Sequence, residues 1–384
     1  MVELPVYLDS QASSRLPAEV KQAMLNYWDN EFGNPHSPHE HGGRALKHIR
    51  ESLISIADLI GAFPKELTIL SGATAANNLA VQGVENLIGE GRDTIVISNI
   101  EHPCVTETCQ FMAKHRGFKL KILPVDKEGF LQIDVLKEAL DERVALVSIM
   151  LGNNEIGTLQ NIASLAKEVH RVGALIHTDA TQAVGRIPID ILELDCDMLS
   201  FSAHKIGGPI GIGALFVRDG IQLLPLIKGG GQQDFLSGTQ SPELIIGFGK
   251  ACDLASERLK TGRSRKENIL IEQFETGLKE SGYSIKRLGP SKNGFRLPGT
   301  ISLKFDDIEM HKLQTWIAPF VSFSTRSACS TTKVEVSHVL KAIGLTDSEA
   351  ENCARFSVDH ASTGEQIEVA VGYFKKYLDN DRNS

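Results

Sequence analysis

The stretch from His177 to Gly213 reads HTDATQAVGRIPIDILELDCDMLSFSAHKIGGPIGIG. An apolar run, Ala174, Leu175 and Ile176, leads into it and delivers Asp179 at its end. A second run, Met198 to Phe201, delivers Ser202, His204 and Lys205. Short apolar runs that end in polar residues read as buried strands whose tips carry chemistry. An acid and an amine at two such tips suit an aldehyde cofactor that forms a Schiff base with the lysine and needs a protonated ring nitrogen, as pyridoxal phosphate does. Taken alone, the pair reads more readily as a surface lysine and a strand-end Asp, so the rest of the chain has to decide.

Outward from this stretch the pattern repeats. Upstream lie the apolar segments LTIL, TIVIS, KLKIL and ALVSIML, separated by segments with helical spacing such as Leu136 to Leu140 and Ile162 to Arg171. Alternating strands and helices imply right-handed crossovers and a largely parallel sheet, with ligands beyond the carboxyl ends of its strands. His102 follows one strand, Asn153 and Asn154 another, and Asp179 with Gln182 a third, so all are expected on one rim. The turn at Ser71 and Gly72 opens a helix at Ala73 and Thr74, whose amides form a ready anion site. Helices are further expected over Pro17 to Trp28, Arg44 to Ile60, Leu244 to about Lys260 and Glu365 to Tyr377, with a strand at GTISLKF and a helix after Asp306. The opening VYLDSQASSRL reads as a short strand and turn.

Composition narrows the function. The 384 residues are 42% hydrophobic and 23% charged, ordinary for a globular protein and enough for a large domain plus a smaller one. Forty Lys and Arg against 48 Asp and Glu give a net charge of −8, which argues against direct nucleic-acid binding and against anionic membranes. No secretory signal pattern stands at the amino terminus, and no apolar run approaches the roughly 20 residues that span a bilayer. Six scattered cysteines without CxxC spacing fit a reducing cytoplasm. His36, His39 and His41 cluster on a Gly/Pro loop without a carboxylate at ligand spacing, so no metal site is expected.

The segments SGAT (71 to 74), EH (101 to 102), NNEIGT (153 to 158), HTDATQ (177 to 182), SFSAHK (200 to 205), SGT (237 to 239), RSACS (326 to 330) and ARFS (354 to 357) run in one order across nearly the whole chain. In that ordered set the chain resembles the NifS/IscS-type cysteine desulfurases, fold type I pyridoxal phosphate enzymes of the class V aminotransferase superfamily. The resemblance implies an α/β fold with a mostly parallel central sheet flanked by helices and a smaller α/β domain. The large domain would span 15–252, and 1–14 with 253–384 would form the small one.

The resemblance also assigns roles. Lys205 would hold the cofactor and shuttle the substrate's α-proton, Asp179 would pair with the ring nitrogen, and Gln182 would bond the ring oxygen with Asn154 near it. His102 would stack on the ring and transfer protons. The amides of Ala73 and Thr74, with Ser202 and His204, would bind the phosphate. Thr239 would reach the phosphate of a neighbouring subunit, which implies a homodimer. Arg355 and Asn154 would bind the substrate carboxylate, and Cys329, in a polar loop with Arg326 and Lys333 nearby, would take sulfur from L-cysteine as a persulfide, leave L-alanine, and pass the sulfur to an acceptor or scaffold protein. The rival expectations are an aminotransferase or selenocysteine lyase of the same superfamily, or a non-catalytic relative. Several positions depart from the pattern: Ala75 stands where Glu is usual, DFL before Ser237 lacks an arginine, Arg326 replaces glycine, Asp359 and His360 replace Gly-Arg, and Ser13 and Ser14 replace a Thr pair.

Overall fold

The computed structural model describes residues 2–291, 294–306, 308–325 and 336–382. Cys329, Arg326 and Lys333 lie outside them. In chain order the strands are β1 (Val6–Tyr7), β2 (Leu67–Leu70), β3 (Thr94–Ser98), β4 (Lys119–Leu123), β5 (Val144–Ser148), β6 (Leu175–Asp179), β7 (Met198–Ser202), β8 (Gly213–Val217), β9 (Ile285–Arg287), β10 (Thr300–Phe305), β11 (Val321–Ser322), β12 (Ser324–Thr325) and β13 (Cys353–Ser357).

Seven strands form one sheet in the order β2-β8-β7-β6-β5-β3-β4. The pairs from β4 through β7 are all parallel, and only β8 runs antiparallel to its neighbours β7 and β2. The reason is visible in the side chains. Every residue of β3, β5, β7 and β8 is buried, so these strands need cover on both faces, which crossover helices supply. Edge strand β4 instead carries Lys119 and Lys121 and buries only Leu123. Because β2 opposes β8, its carboxyl end lies on the same edge as those of β3, β5, β6 and β7. That shared edge carries the site.

Some expected boundaries shift for local reasons. The helix expected from Arg44 starts at Glu40, because His39 Nδ1 accepts the Gly42 amide at 3.2 Å and draws both glycines into the first turn. His41 Nδ1 lies 2.8 Å from an Arg44 nitrogen, so these two histidines already have protein partners. The helix expected from Leu244 starts at Pro242, where the missing amide costs nothing.

The remaining strands build a second layer of structure. A four-stranded antiparallel sheet runs β12-β13-β10-β9, and β1 pairs with β11 alongside it. Its core gathers Phe274, Phe305, Phe356 and Phe374, together with Val6 and Leu8 from the opening segment. Each such aromatic contributes roughly 1.5–3 kcal/mol by leaving water. The opening segment is thereby fixed to the carboxy-terminal part of the chain. Ser10 Oγ donates to Val358 O at 2.6 Å, and the Ser357 amide donates to Leu8 O at 2.8 Å.

Candidate active site

A cavity of about 560 Å³ opens at the carboxyl edge of the large sheet, with Asp9, Gln11, Ser324 and Arg355 closing its other side. Each sheet strand delivers its residues by ending. Past β2 the chain turns at Gly72, whose φ of 147° is a conformation that L side chains rarely adopt, and enters the helix Ala73–Gln82. No side chain caps that helix, so its first amides stand free toward the cavity and favour an anion. Gly213 makes the neighbouring approach possible, since a Cβ there would lie 2.9 Å from Gly72 Cα and 2.6 Å from Phe201 O.

Asp179, at the end of β6, is 6% exposed. Its Oδ2 accepts from Asn77 Nδ2 at 2.8 Å and its Oδ1 from the Thr181 amide at 2.9 Å. Both donors are neutral, and among the described residues no cation is paired with this carboxylate. A buried carboxylate so placed calls for a positive group from a ligand. Two strand positions earlier, His177 is held below the ordinary imidazole pKa by burial between the hydroxyls of Ser148 and Ser200, at 2.8 and 2.9 Å, and so stays neutral.

Lys205 follows β7. Burial first, then the charges of Arg355 and Arg186, lower its pKa to about 8. Its Nζ donates to the carbonyls of Gln11 at 2.6 Å and Ala12 at 3.0 Å, so a substantial neutral fraction exists near neutral pH in an amine that is already aimed. His204 is pushed down to about 4 by burial and by Lys205, and its Nδ1 sits 2.8 Å from Ser202 Oγ. That pair offers neutral donors beside the free helix amides.

His102 ends the loop after β3 and caps the helix Pro103–His115. The Cys104 amide donates to its Nδ1 at 3.2 Å, so Nδ1 is the acceptor and Nε2 carries the hydrogen in the neutral ring. The ring stands open to the cavity, yet desolvation by surrounding protein keeps its pKa below the ordinary value. Behind it Glu101 is buried and its pKa is raised to about 8 by desolvation, while Ser98 Oγ at 2.5 Å and the Met150 amide fix its carboxyl group. His338 Nε2 lies 2.8 Å from Glu101 O.

The opposite wall is built from distant parts of the chain. Arg355 on β13 is 7% exposed. It donates from Nη1 to Asn154 O at 2.8 Å and from Nη2 to Asp9 Oδ1 at 2.8 Å and Ser324 Oγ at 2.9 Å, while its buried Nε has no partner. Ser324 in turn donates to Asp9 Oδ1 at 2.9 Å.

The cavity thus collects His102, Ala73, Thr74, Asn154, Asp179, Gln182, Ser202, His204, Lys205 and Arg355. Asn153 is not among them. Its side chain is fully buried, donating to Ile100 O and accepting from the Glu155 and Ile156 amides, so it ties the loop together instead of facing the rim. Thr239 is exposed and outside the cavity wall of its own chain. Cys329 lies outside the described residues; on the amino-terminal side of its segment Ser324 lines the cavity, and on the carboxy-terminal side Ser337 Oγ donates to Glu155 Oε2 at 2.5 Å, next in sequence to the lining residue Asn154. Among the described cysteines, burial pushes Cys104 up to about 11, Cys196 up to about 12, and Cys109 and Cys252 well above the usual thiol range, which disfavours their thiolates, while Cys353 is buried.

Residue-level reading missed Asp9, Gln11, Asn77 and Cys104. The first two belong to a segment that looked like a plain strand and turn; a carboxylate at a strand's end, as at Asp179, was the signal available for Asp9. Chemically the cavity can hold an anion at the free helix end, a cation against Asp179, a carbonyl against the Lys205 amine and a carboxylate near Arg355. The open Gln182 Oε1, Asn77 Oδ1 and Thr181 Oγ1 atoms, all buried without protein partners, add to the case for a polar ligand.

Known proteins share this sequence pattern and fold. The aminotransferase class-V family profile matches residues 6–369. A cysteine desulfurase of Sinorhizobium fredii is 40% identical over 95% of this chain and 94% of its own. A solved structure of a NifS-like protein superposes with a TM-score of 0.90 at 32% identity, covering 98% of this chain and all of the other. SspA, solved in complex with cysteine, superposes with a TM-score of 0.79 at 32% identity over 92% of this chain and 98% of its own.

Proposed function

The chain belongs to the aminotransferase class-V family and within it to the cysteine desulfurases, and from that premise we propose that it takes sulfur from L-cysteine onto Cys329, leaves L-alanine, and works with pyridoxal phosphate. The observation that carries the reading is the placement of Asp179, Lys205 and Arg355 around one cavity of about 560 Å³. When bound, pyridoxal phosphate supplies an electron sink that makes the substrate's Cα–H acidic and its sulfur open to thiolate attack.

The protein's own groups do the rest. The amides at Ala73 and Thr74, with Ser202 and His204, would hold the phosphate. Asp179, oriented by Asn77 and Thr181, would hold a proton on the ring nitrogen. Gln182 directs its open Oε1 into the cavity for a ring hydroxyl. Lys205, with its pKa lowered to about 8, would be the residue that holds the cofactor through its amine and would carry the substrate's α-proton. His102, neutral with the hydrogen on Nε2 and on the cavity wall, would hold the ring and relay protons. Arg355 and Asn154 orient the substrate by its carboxylate. The Cys329 thiolate would then bond to the substrate sulfur as the carbon–sulfur bond breaks, the bond's electron pair staying with the substrate carbon, which takes up a proton on the way to L-alanine, and the persulfide would pass to an acceptor protein. Thr239, exposed on its own chain, serves the phosphate of a second copy in a homodimer. The small domain is 1–14 with 253–384, and the large one is 15–252.

The test is to incubate purified protein with pyridoxal phosphate, L-cysteine and a reductant and to quantify alanine and sulfide. Cys329→Ala should abolish both products while leaving cofactor absorbance intact. Undiminished alanine from that variant would refute the assignment of Cys329, and transamination without sulfide would favour an aminotransferase.

A further inference from the structure

Gln11 is held at the backbone and open at the side chain. Its amide donates to Ser357 Oγ at 2.9 Å, and its carbonyl accepts from Lys205 Nζ at 2.6 Å and Gln182 Nε2 at 3.2 Å. The residue is 1% exposed and lines the cavity, yet neither Oε1 nor Nε2 has a hydrogen-bond partner among the described residues. A primary amide brings two donors and an acceptor, and buried amides are nearly always bonded. Other amides of this wall are only half open: Gln182 and Asn77 each spend the nitrogen on a protein acceptor and keep the oxygen free. Among the described residues Gln11 is the one side-chain amide buried with both ends open. No described residue satisfies it, and its place on the cavity wall puts it within the space a ligand would enter.

We propose that Gln11 is a substrate-contacting residue whose Nε2 donates to the α-carboxylate beside Arg355, which makes it a determinant of selectivity for α-amino acids over plain amines. The inference rests on the reading of the substrate as an α-amino acid. Arg355 alone is an incomplete carboxylate site. Nη2 is engaged by Asp9 and Ser324 and Nη1 by Asn154 O, so part of the fork is spent and its charge is offset by Asp9. A carboxylate drawn to the remaining guanidinium donors has a second oxygen to satisfy. Gln11 stands two residues from Asp9 on the same cavity wall and offers a neutral donor whose backbone cannot drift, being pinned to Ser357 and Lys205.

The test uses the cofactor-loaded full chain and the variants Gln11→Ala and Gln11→Glu. Three quantities are read: KM and kcat for alanine formation from L-cysteine, the dissociation constant of L-alanine from the change in cofactor absorbance, and the same constant for cysteamine, which lacks the carboxylate. Gln11→Ala should raise KM for L-cysteine and weaken L-alanine by about 10-fold, the size of one lost hydrogen bond to a charged group, with kcat nearly constant and cysteamine unaffected. Gln11→Glu, similar in shape but anionic, should weaken L-alanine further and leave cysteamine bound, and it carries the comparison if the alanine variant fails to fold. Equal loss for L-alanine and cysteamine, or no loss for either, would overturn the proposal. If the parent protein makes no sulfide but Gln11→Ala still selectively weakens L-alanine, the desulfurase reading fails and the Gln11 assignment stands.

Discussion

Two carboxylates face the same cavity from opposite walls, and their partners give them opposite uses. Asp179, at the tip of β6, is bonded among the described residues by the Asn77 amide and a backbone N–H, both neutral. Its charge is oriented but unspent. Asp9, at the end of the opening segment, accepts from Arg355 and Ser324 within one residue's reach. Its charge is consumed in holding the guanidinium. The comparison teaches that an acid in a site is assigned by what already binds it: neutral donors leave a carboxylate for a ligand, whereas a guanidinium makes it a brace.

Replacing each acid separates the two. Asp179→Ala should lower kcat by about 1,000-fold, within the range for a group that acts on proton inventory at the reacting centre, and should shift the bound cofactor's absorbance. A variant that keeps full turnover would break the distinction. Asp9→Ala should leave kcat within a few-fold, raise KM for L-cysteine about 10-fold and lower stability by roughly 2 kcal/mol, because Arg355 loses its buried counter-ion. Urea unfolding and steady-state kinetics read the two effects, and a large fall in kcat without a change in KM would place Asp9 in the chemistry instead.

A smaller effect sharpens the same contrast through Lys205, which sits between the two walls. Burial and nearby arginines lower its pKa to about 8, so the neutral amine that attacks a carbonyl gains population as pH rises through that value. The rate at which cofactor-free protein captures pyridoxal phosphate should climb with a midpoint near pH 8. A midpoint above 10 would mean that the amine is solvated as in free lysine. The Asp9→Ala change removes a counter-charge that raises this pKa, so the midpoint should move slightly down.

Legibility in the sequence followed the same division. Lys205, Asp179, His102 and Thr74 could be read because each sits just past an apolar run, and a strand's end in a parallel sheet is a place fixed by local pattern. Asn153 shows the limit of that logic: it occupies the same kind of position, but its amide closes a loop onto Ile100, Glu155 and Ile156. The start of the helix at Glu40 was likewise hidden, since the His39 cap outweighed two glycines that read as loop.

By itself the sequence determined the parallel sheet, the rim and, through its ordered motifs, the family, because periodicity and strand-end placement are properties of neighbouring residues. Only the tertiary structure decided that Asp9 braces Arg355 across 346 positions of chain and that the Gln11 amide is left open between Ser357 and Lys205. The physical reason is that a hydrogen bond's worth depends on which groups remain unpaired after the chain has closed on itself, and no local pattern records that remainder.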